Sequence, residues 1–438
     1  MAAGQAPPAP ATASSNTPWW DLGGRFSDRL AAETGGKLRL TLEFRGRYES
    51  RAGVAFGNEH DKSAALFRTR VGLFWQPVSW LKASAMMQDS RAPLYGENAP
   101  ANVRDQADLH EAYFELAPNP ARGSGLAAGR AMLTYGEGRL LGTPQWGNLA
   151  RTYDHARLFY RLPRARLELL FVSPVKIRPQ EFNRPALGDH VWGTYMSFPN
   201  LFSKSLVDVY VLRHSQNRPG GFAGGSKAAG TDRLAISTFG FRAAGPLAQA
   251  KKYSMEGAVQ GGKVGAATHR GGAWYSAVSR RFAVARKTVD LSADYKFASG
   301  TRDPSDARRV GAFDHLYGAF HDVFGHQDLF GWRNIHNVRG LGTAGLRKNL
   351  ALNLMYNTYW LASVRDALYN TAGRPIASSP AGTAGRHVGQ EADLFATCRF
   401  GHLQVGAGYG RFFKGAFIRH TTPGISPAYV YLFHTYSF

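Results

Sequence analysis

The stretch at residues 37–48, KLRLTLEFRGRY, repeats with a period of two. Leu38, Leu40, Leu42, Phe44, Gly46 and Tyr48 fall in one set, and Lys37, Arg39, Thr41, Glu43, Arg45 and Arg47 in the other. Successive side chains of a strand point to opposite faces, so the pattern predicts a strand. The unusual part is its length: one face stays apolar and the other cationic over the whole segment. A strand of a soluble sandwich alternates too, but its outer face is mixed and short.

The alternation returns along the chain. In AALFRTRVGLFW, Phe67, Thr69, Val71, Leu73 and Trp75 oppose Arg68 and Arg70. In TVDLSADYKF, Val289, Leu291, Ala293, Tyr295 and Phe297 oppose Asp290, Asp294 and Lys296. LALNLMYNTYW and LQVGAGYG behave alike. Between these segments sit short turns, at residues 76–79, 162–163 and 400–401, and long polar stretches, at 91–105, 174–189, 216–232, 300–334 and 371–385. Short turns against long loops is the asymmetry of an outer-membrane barrel, and the count of about 18 strands is even, as single-chain bacterial barrels require. The segments near 107–116 and 125–132 alternate poorly. The last segment, AYVYLFHTYSF, alternates up to Phe438, the usual assembly signature of such barrels.

Lipid explains the two faces. A sheet in hydrocarbon must close so that every backbone group is paired. The leucine face then meets lipid, because an arginine at the bilayer midplane costs about 2–4 kcal/mol. The arginine face points inward, and with about 18 strands the interior is wide enough for a water-filled channel. The expected fold is therefore an all-β, transmembrane antiparallel barrel over residues 37–438. Residues 1–36 read as a flexible Pro/Ala/Ser leader with an added start methionine, in which 21–36 could hold one short helical turn. A signal peptide is expected to have preceded this sequence.

Composition narrows the function. The 438 residues carry a net charge of +22, which calls for a polyanionic partner. Nucleic acid fits poorly, because the cations are spread over alternating strands and not gathered on one helix or patch. Cys398 is the single cysteine, so neither an intrachain disulfide nor a cysteine zinc site can form. No apolar run is long enough for a spanning helix.

Six segments carry a resemblance: AAGRAMLTYGEGRLLG, WGNLARTYDHARLFY, FDHLYGAFHDVFGHQD, LNLMYNTYWLASVRDALYNTAGRP, HVGQEADLF and GYGRFFKGAF. Together they resemble the bacterial alginate-export family of outer-membrane porins, over residues 38–438. Gly129–Arg130, the Gly-Gln-Glu-x-Asp run at 389–393 and the Phe-x-x-Gly element at 412–415 mark it. The resemblance implies a barrel whose arginine- and lysine-lined pore passes a linear polyuronate, with outer-membrane lipid around it and possible periplasmic export partners. It puts Arg130 at a pore arginine, and Glu111 and Glu391 at acidic positions of the interior. His110 departs from the family, which has arginine there.

The pore-lining candidates are thus Lys37, Arg39, Arg45, Arg47, Arg68, Arg70, Arg157 and Arg161 from the alternating segments, with Lys82 and Arg166 beside them. Arg130, Arg139 and Glu391 come from the resembling segments, and Glu111 is what the resemblance implies. One reading makes the cations a ladder for carboxylates, since a guanidinium binds a carboxylate bidentately. The other pairs them with luminal acids such as Glu43, Asp154, Glu168, Asp290 and Asp294, as struts of the wall. His315, His321 and His326, with Asp314, Asp322 and Asp328, suit a transition metal in kind but match no tight motif. The favoured reading is a hydrogen-bonded loop that constricts the pore if it folds inward, so no metal or cofactor is assigned. Ser63, Ser84 and Ser292 with His110 or His155 give no nucleophile elbow, so no enzyme is expected. GGSKAAG lacks a strand–helix context for nucleotide binding. The expected function is passage of anionic saccharides such as alginate. The alternatives are a general anion porin and a plugged barrel whose loops bind outside.

Overall fold

The computed structural model describes residues 22–98, 103–202, 204–217, 233–248, 250–285 and 287–438. Most of the leader, much of the 216–232 stretch and GGSKAAG lie outside them. Eighteen antiparallel strands form one closed barrel. They are β1 (Leu38–Ala52), β2 (Lys62–Val78), β3 (Leu81–Arg91), β4 (Asp105–Leu116), β5 (Gly123–Ala131) and β6 (Tyr153–Leu162). Next come β7 (Ala165–Lys176), β8 (Asp189–Phe202), β9 (Ser205–Asn217), β10 (Arg233–Pro246), β11 (Lys251–Val264) and β12 (Ala267–Val284). The set ends with β13 (Lys287–Ala298), β14 (Ile335–Arg347), β15 (Leu350–Trp360), β16 (His387–Phe400), β17 (Leu403–Lys414) and β18 (Ala428–Ser437). The seam closes where β1 pairs β18, from Glu43 opposite Ser437 to Ala52 opposite Ala428. No described helix is long and apolar enough to cross a membrane.

The faces follow the period of two. Phe44, Tyr48, Phe67, Val71, Leu73 and Trp75 are exposed on the outer wall, while Arg45, Arg47, Arg68 and Arg70 are buried inside. On β15, Leu354 and Tyr356 face out and Asn357 and Tyr359 face in. The short turns gather at one rim and the long loops at the other. At the short-turn rim, helix α1 (Leu22–Glu33) packs along β1, with Ser27 Oγ donating to the Leu40 carbonyl at 2.6 Å. It has 12 residues, longer than the single turn read from sequence. A Cβ on Gly23 would lie 2.3 Å from the Phe438 ring, so the helix seats against the end of the seam.

The interior is not an open, water-filled duct. Phe313, Phe320, Phe324, Phe330 and Trp332 from the 299–334 loop are buried together with Tyr359 and Phe412 of the wall. Residues 132–152, between β5 and β6, also turn inward. The two segments join through a parallel bridge at Leu141 and Tyr317, with Gly142 N–H donating to the Tyr317 carbonyl at 3.0 Å. The expectation that a charged lining keeps the lumen wet fails for a physical reason. The loops bring their own apolar side chains, and their backbone groups satisfy the wall charges.

Candidate functional site: the interior between the arginine wall and the loops

The site is built on adjacent strands. Arg45 of β1 lies directly opposite Arg68 of β2, and Glu43 opposite Arg70. Like charges opposite one another destabilise a sheet unless something neutralises them. Here the 145–147 segment does so with backbone oxygens. Arg45 donates to the Gln145 and Gly147 carbonyls at 2.9 and 2.7 Å, and Arg68 donates to the same two at 3.1 Å each. Arg47 donates to the Trp146 carbonyl at 2.5 Å and lies 4.3 Å over the Trp146 ring. Arg70 bonds the Gln88 and Gln145 side chains at 2.6 and 3.0 Å. Four guanidinium groups meet two carboxylates on this patch: Glu43, 2.6 Å from Arg68, and Glu49, 3.1 Å from Arg47. Backbone carbonyls satisfy the donors without cancelling the charge, so the patch keeps a cationic surplus.

The remaining predicted cations behave differently. Arg130 forms a fork on Asp154 at 2.7 and 3.0 Å and also donates to the Leu109 and Asn183 carbonyls. Gly129 explains its aim. Its φ is 121°, and a Cβ there would sit 2.2 Å from the Ala112 carbonyl oxygen. Only glycine fits this twist. Arg157 pairs Glu168 at 3.5 Å and Arg161 pairs Glu115 at 2.8 Å. Arg139 is not on the wall. It sits on the inward segment, tied to Glu256 at 2.6 Å and Glu137 at 2.8 Å, with its guanidinium 3.7 Å from the Tyr275 ring centroid. The Arg139 and Arg242 guanidinium groups outweigh burial at Glu137 and hold its carboxyl down at about 2. Arg130, Arg139, Arg157 and Arg161 are thus ion-paired struts. Lys37 is exposed at the short-turn rim just before β1, and Arg39 is half-buried near it, so neither reaches the centre.

The predicted acids hold loops. Glu111 accepts the Met132 N–H at 2.8 Å, where the first inward segment leaves the wall. Glu391 of β16 accepts the His326 and Gln327 N–H groups at 2.8 and 2.9 Å and bonds Tyr359 OH at 3.3 Å. Gly389, at φ 151°, lets that strand run where a Cβ would meet the Phe413 carbonyl oxygen at 2.3 Å.

Between the arginine wall and the 318–329 turn lies a cavity of about 660 Å³. Arg47, Arg51, Trp146 and Arg151 line it from one side, and His321, Gln327 and Asp328 from the other. Trp146 Nε1 and Gln327 Nε2 are buried donors with no hydrogen-bond partner among the described residues. Reading the sequence alone misses Trp146, Gln145 and Gln327. The one signal for the first two is a glycine-rich, non-alternating gap at 132–152, longer than a barrel turn needs.

The sequence model described as "Alginate export" matches residues 36–431. No curated protein matches the chain. Among solved structures, OccK11 (OpdR) of Pseudomonas aeruginosa superposes with a TM-score of 0.61 at 12% identity, covering 92% of this chain and 96% of that one. OccK2 (OpdF) of the same organism, solved in complex with glucuronate, gives 0.60 at 10% identity over 92% and 98%. OpdK of Pseudomonas aeruginosa, solved with vanillate, gives 0.59 at 12% identity over 92% and 98%. These similarities are of fold.

Proposed function

The chain belongs to the alginate export family, an outer-membrane channel family, and on that premise we propose that it passes carboxylated saccharides of the uronate type. The observation that carries the reading is the Arg45–Arg47–Arg68–Arg70 patch, with its cationic surplus beside the 660 Å³ cavity. Arg51 and Arg151 add guanidinium groups around that cavity, and Trp146 adds a flat ring and a free N–H donor. A uronate offers carboxylate oxygens for the arginines and hydroxyls for the polar donors, the Trp146 N–H among them. The ligands in the titles of OccK2 and OpdK, glucuronate and vanillate, are both carboxylates, which suits the same reading. Passage needs no covalent step. Carbonyl oxygens now held by Arg45 and Arg68 would exchange for solute carboxylate oxygens, a swap that leaves the site weak enough to release its solute.

A second reading is a barrel closed by its loops, favoured by the packing of Phe313, Phe324, Phe330 and Trp332 across the interior. One experiment separates the two. Purified barrel in a planar bilayer under a salt gradient should give an anion-selective reversal potential and a current blocked by added oligouronate. An anion-selective current indifferent to oligouronate reduces the function to a general anion channel. No steady conductance sinks the transport reading in favour of the closed barrel.

A further inference from the structure

We propose that the turn at residues 321–326 is a binding site for a divalent transition metal of the zinc class, with His321, Asp322 and His326 as its protein ligands. One ligand atom from each of the three residues lies within 4.8 Å of the other two. In tetrahedral coordination at zinc–nitrogen and zinc–oxygen lengths, neighbouring ligand atoms lie roughly 3.4 Å apart. His321 Nε2 is 3.6 Å from Asp322 Oδ1, close to that separation, while His326 Nδ1 is 2.5 Å from the same oxygen, a hydrogen bond that must lengthen when an ion takes the proton's place.

The arrangement differs from a pair of hydrogen-bonded histidines in three respects. Both rings turn a nitrogen toward one carboxylate oxygen, Asp322 Oδ1, which His326 Nδ1 hydrogen-bonds and His321 Nε2 approaches from just beyond hydrogen-bond reach. Each ring also has its far nitrogen engaged: His321 Nδ1 with Asp328 at 3.0 Å, and His326 Nε2 with Tyr431 OH at 2.7 Å. Metal-binding histidines are oriented in this way, by a carboxylate or other polar partner on the nitrogen that does not ligate. Finally, both rings are clamped. Trp146 stacks on His321 at 4.7 Å and 4°, and Phe395 stacks on His326 at 4.6 Å and 8°.

The backbone is committed to this geometry. Asp322 and Asp328 sit at φ 62° and 58°, uncommon for residues other than glycine, and Gly325 at φ 97° completes the turn between the two histidines. Such conformations persist where the surroundings over-determine them. Glu391 supplies that restraint by accepting two N–H groups of the turn, and Arg339 donates to the Asp322 carbonyl. A divalent ion would offset the Asp322 and Asp328 carboxylates and keep both imidazoles neutral, as ligation requires. Three protein ligands leave a fourth position open.

The test uses the full chain, folded in detergent, stripped with chelator and free of any polyhistidine tag, titrated with cobalt(II). We expect one ion per barrel and the strong visible absorption of a tetrahedral site, lost when His321→Ala and His326→Ala are combined. A folded wild-type barrel without stoichiometric cobalt binding overturns the proposal. So does a double variant that is still folded, judged by its heat-dependent gel migration, and binds as tightly as wild type. If the double variant does not fold, Asp322→Asn keeps the side-chain shape: loss of the cobalt band supports the site, and an unchanged band sinks it.

Discussion

The β1–β2 wall and the β16–β18 wall, neighbours across the seam, hold the inward loops with opposite chemistry. On β1–β2, arginines donate to the carbonyls of residues 145–147. On β16, Glu391 accepts the N–H groups of residues 326 and 327. The same device, a wall charge bonded to loop backbone, is used with both signs. The consequences differ. Backbone carbonyls leave the arginine patch with surplus positive charge. Across the seam, aromatic faces and the acids around the 321–328 turn give a grip in which His321 takes part. On the proposed reading, one wall exchanges its partner for solute and the other fastens the loop.

Removing the obstruction is the hardest test of this contrast. Deleting residues 302–332 withdraws Phe313, Phe320, Phe324, Phe330 and Trp332 from the interior, together with the loop N–H groups that Glu391 holds. Single-channel conductance should rise several-fold while anion selectivity stays, because the arginine wall is untouched. Unchanged conductance would mean that this loop is not what limits passage. The barrel itself should survive, since eighteen strands remain paired around the seam.

Charge reversal probes the arginine wall on the other side of the seam. Arg45→Glu, Arg47→Glu and Arg70→Glu together exchange three cations for anions on a patch whose ion-paired acids, among the described residues, are Glu43 and Glu49. The new carboxylates would also repel the carbonyls of 145–147, so this segment should loosen. The reversal potential should move toward cation selectivity with a smaller change in conductance than the deletion gives. The matched control is Arg161→Glu. Arg161 is an ion-paired strut on Glu115, so reversing it should leave selectivity near wild type and lower the unfolding temperature. The pair is half-buried, so its loss should cost less than the about 3–5 kcal/mol of a fully buried one. If both sets shift selectivity equally, the distinction between patch and struts is wrong.

The wall was legible in the sequence because its rule is local. Lipid demands an apolar residue at every second position, so KLRLTLEFRGRY and LALNLMYNTYW declare both their faces. The strand number, the two rims and the inward turn of Arg45, Arg47, Arg68 and Arg70 followed from that rule alone. The partners of those arginines did not. Gln145, Trp146 and Gly147 lie about a hundred positions away from Arg45 and Arg47 in a segment with no periodicity. Which cations are paired also escaped, since pairing depends on cross-strand register: Arg157 meets Glu168 on the adjacent strand, whereas Arg139 left the wall altogether. The histidines showed as a cluster without a motif because their orienting partners come from elsewhere, Tyr431 from β18 and Trp146 from the first inward segment.

The smallest expected effect sharpens the contrast through pH, which acts on the grip at His321. Burial alone would lower the pKa of His321, but Asp328 and Asp322 outweigh burial and raise it above 6.5. A group whose pKa is raised in the docked state favours docking in its charged form. Its contribution is complete below the free value and fades as pH climbs through the raised one. With chelator present to keep the turn metal-free, raising pH from roughly 6 to 9 spans the histidine range. Opening events or conductance should then increase a few-fold, while the reversal potential stays on the anion side. His321→Gln should flatten the dependence. If wild type is already flat, the imidazolium contributes nothing to the grip, and the β16–β18 wall holds its loop through Glu391 and aromatic packing alone.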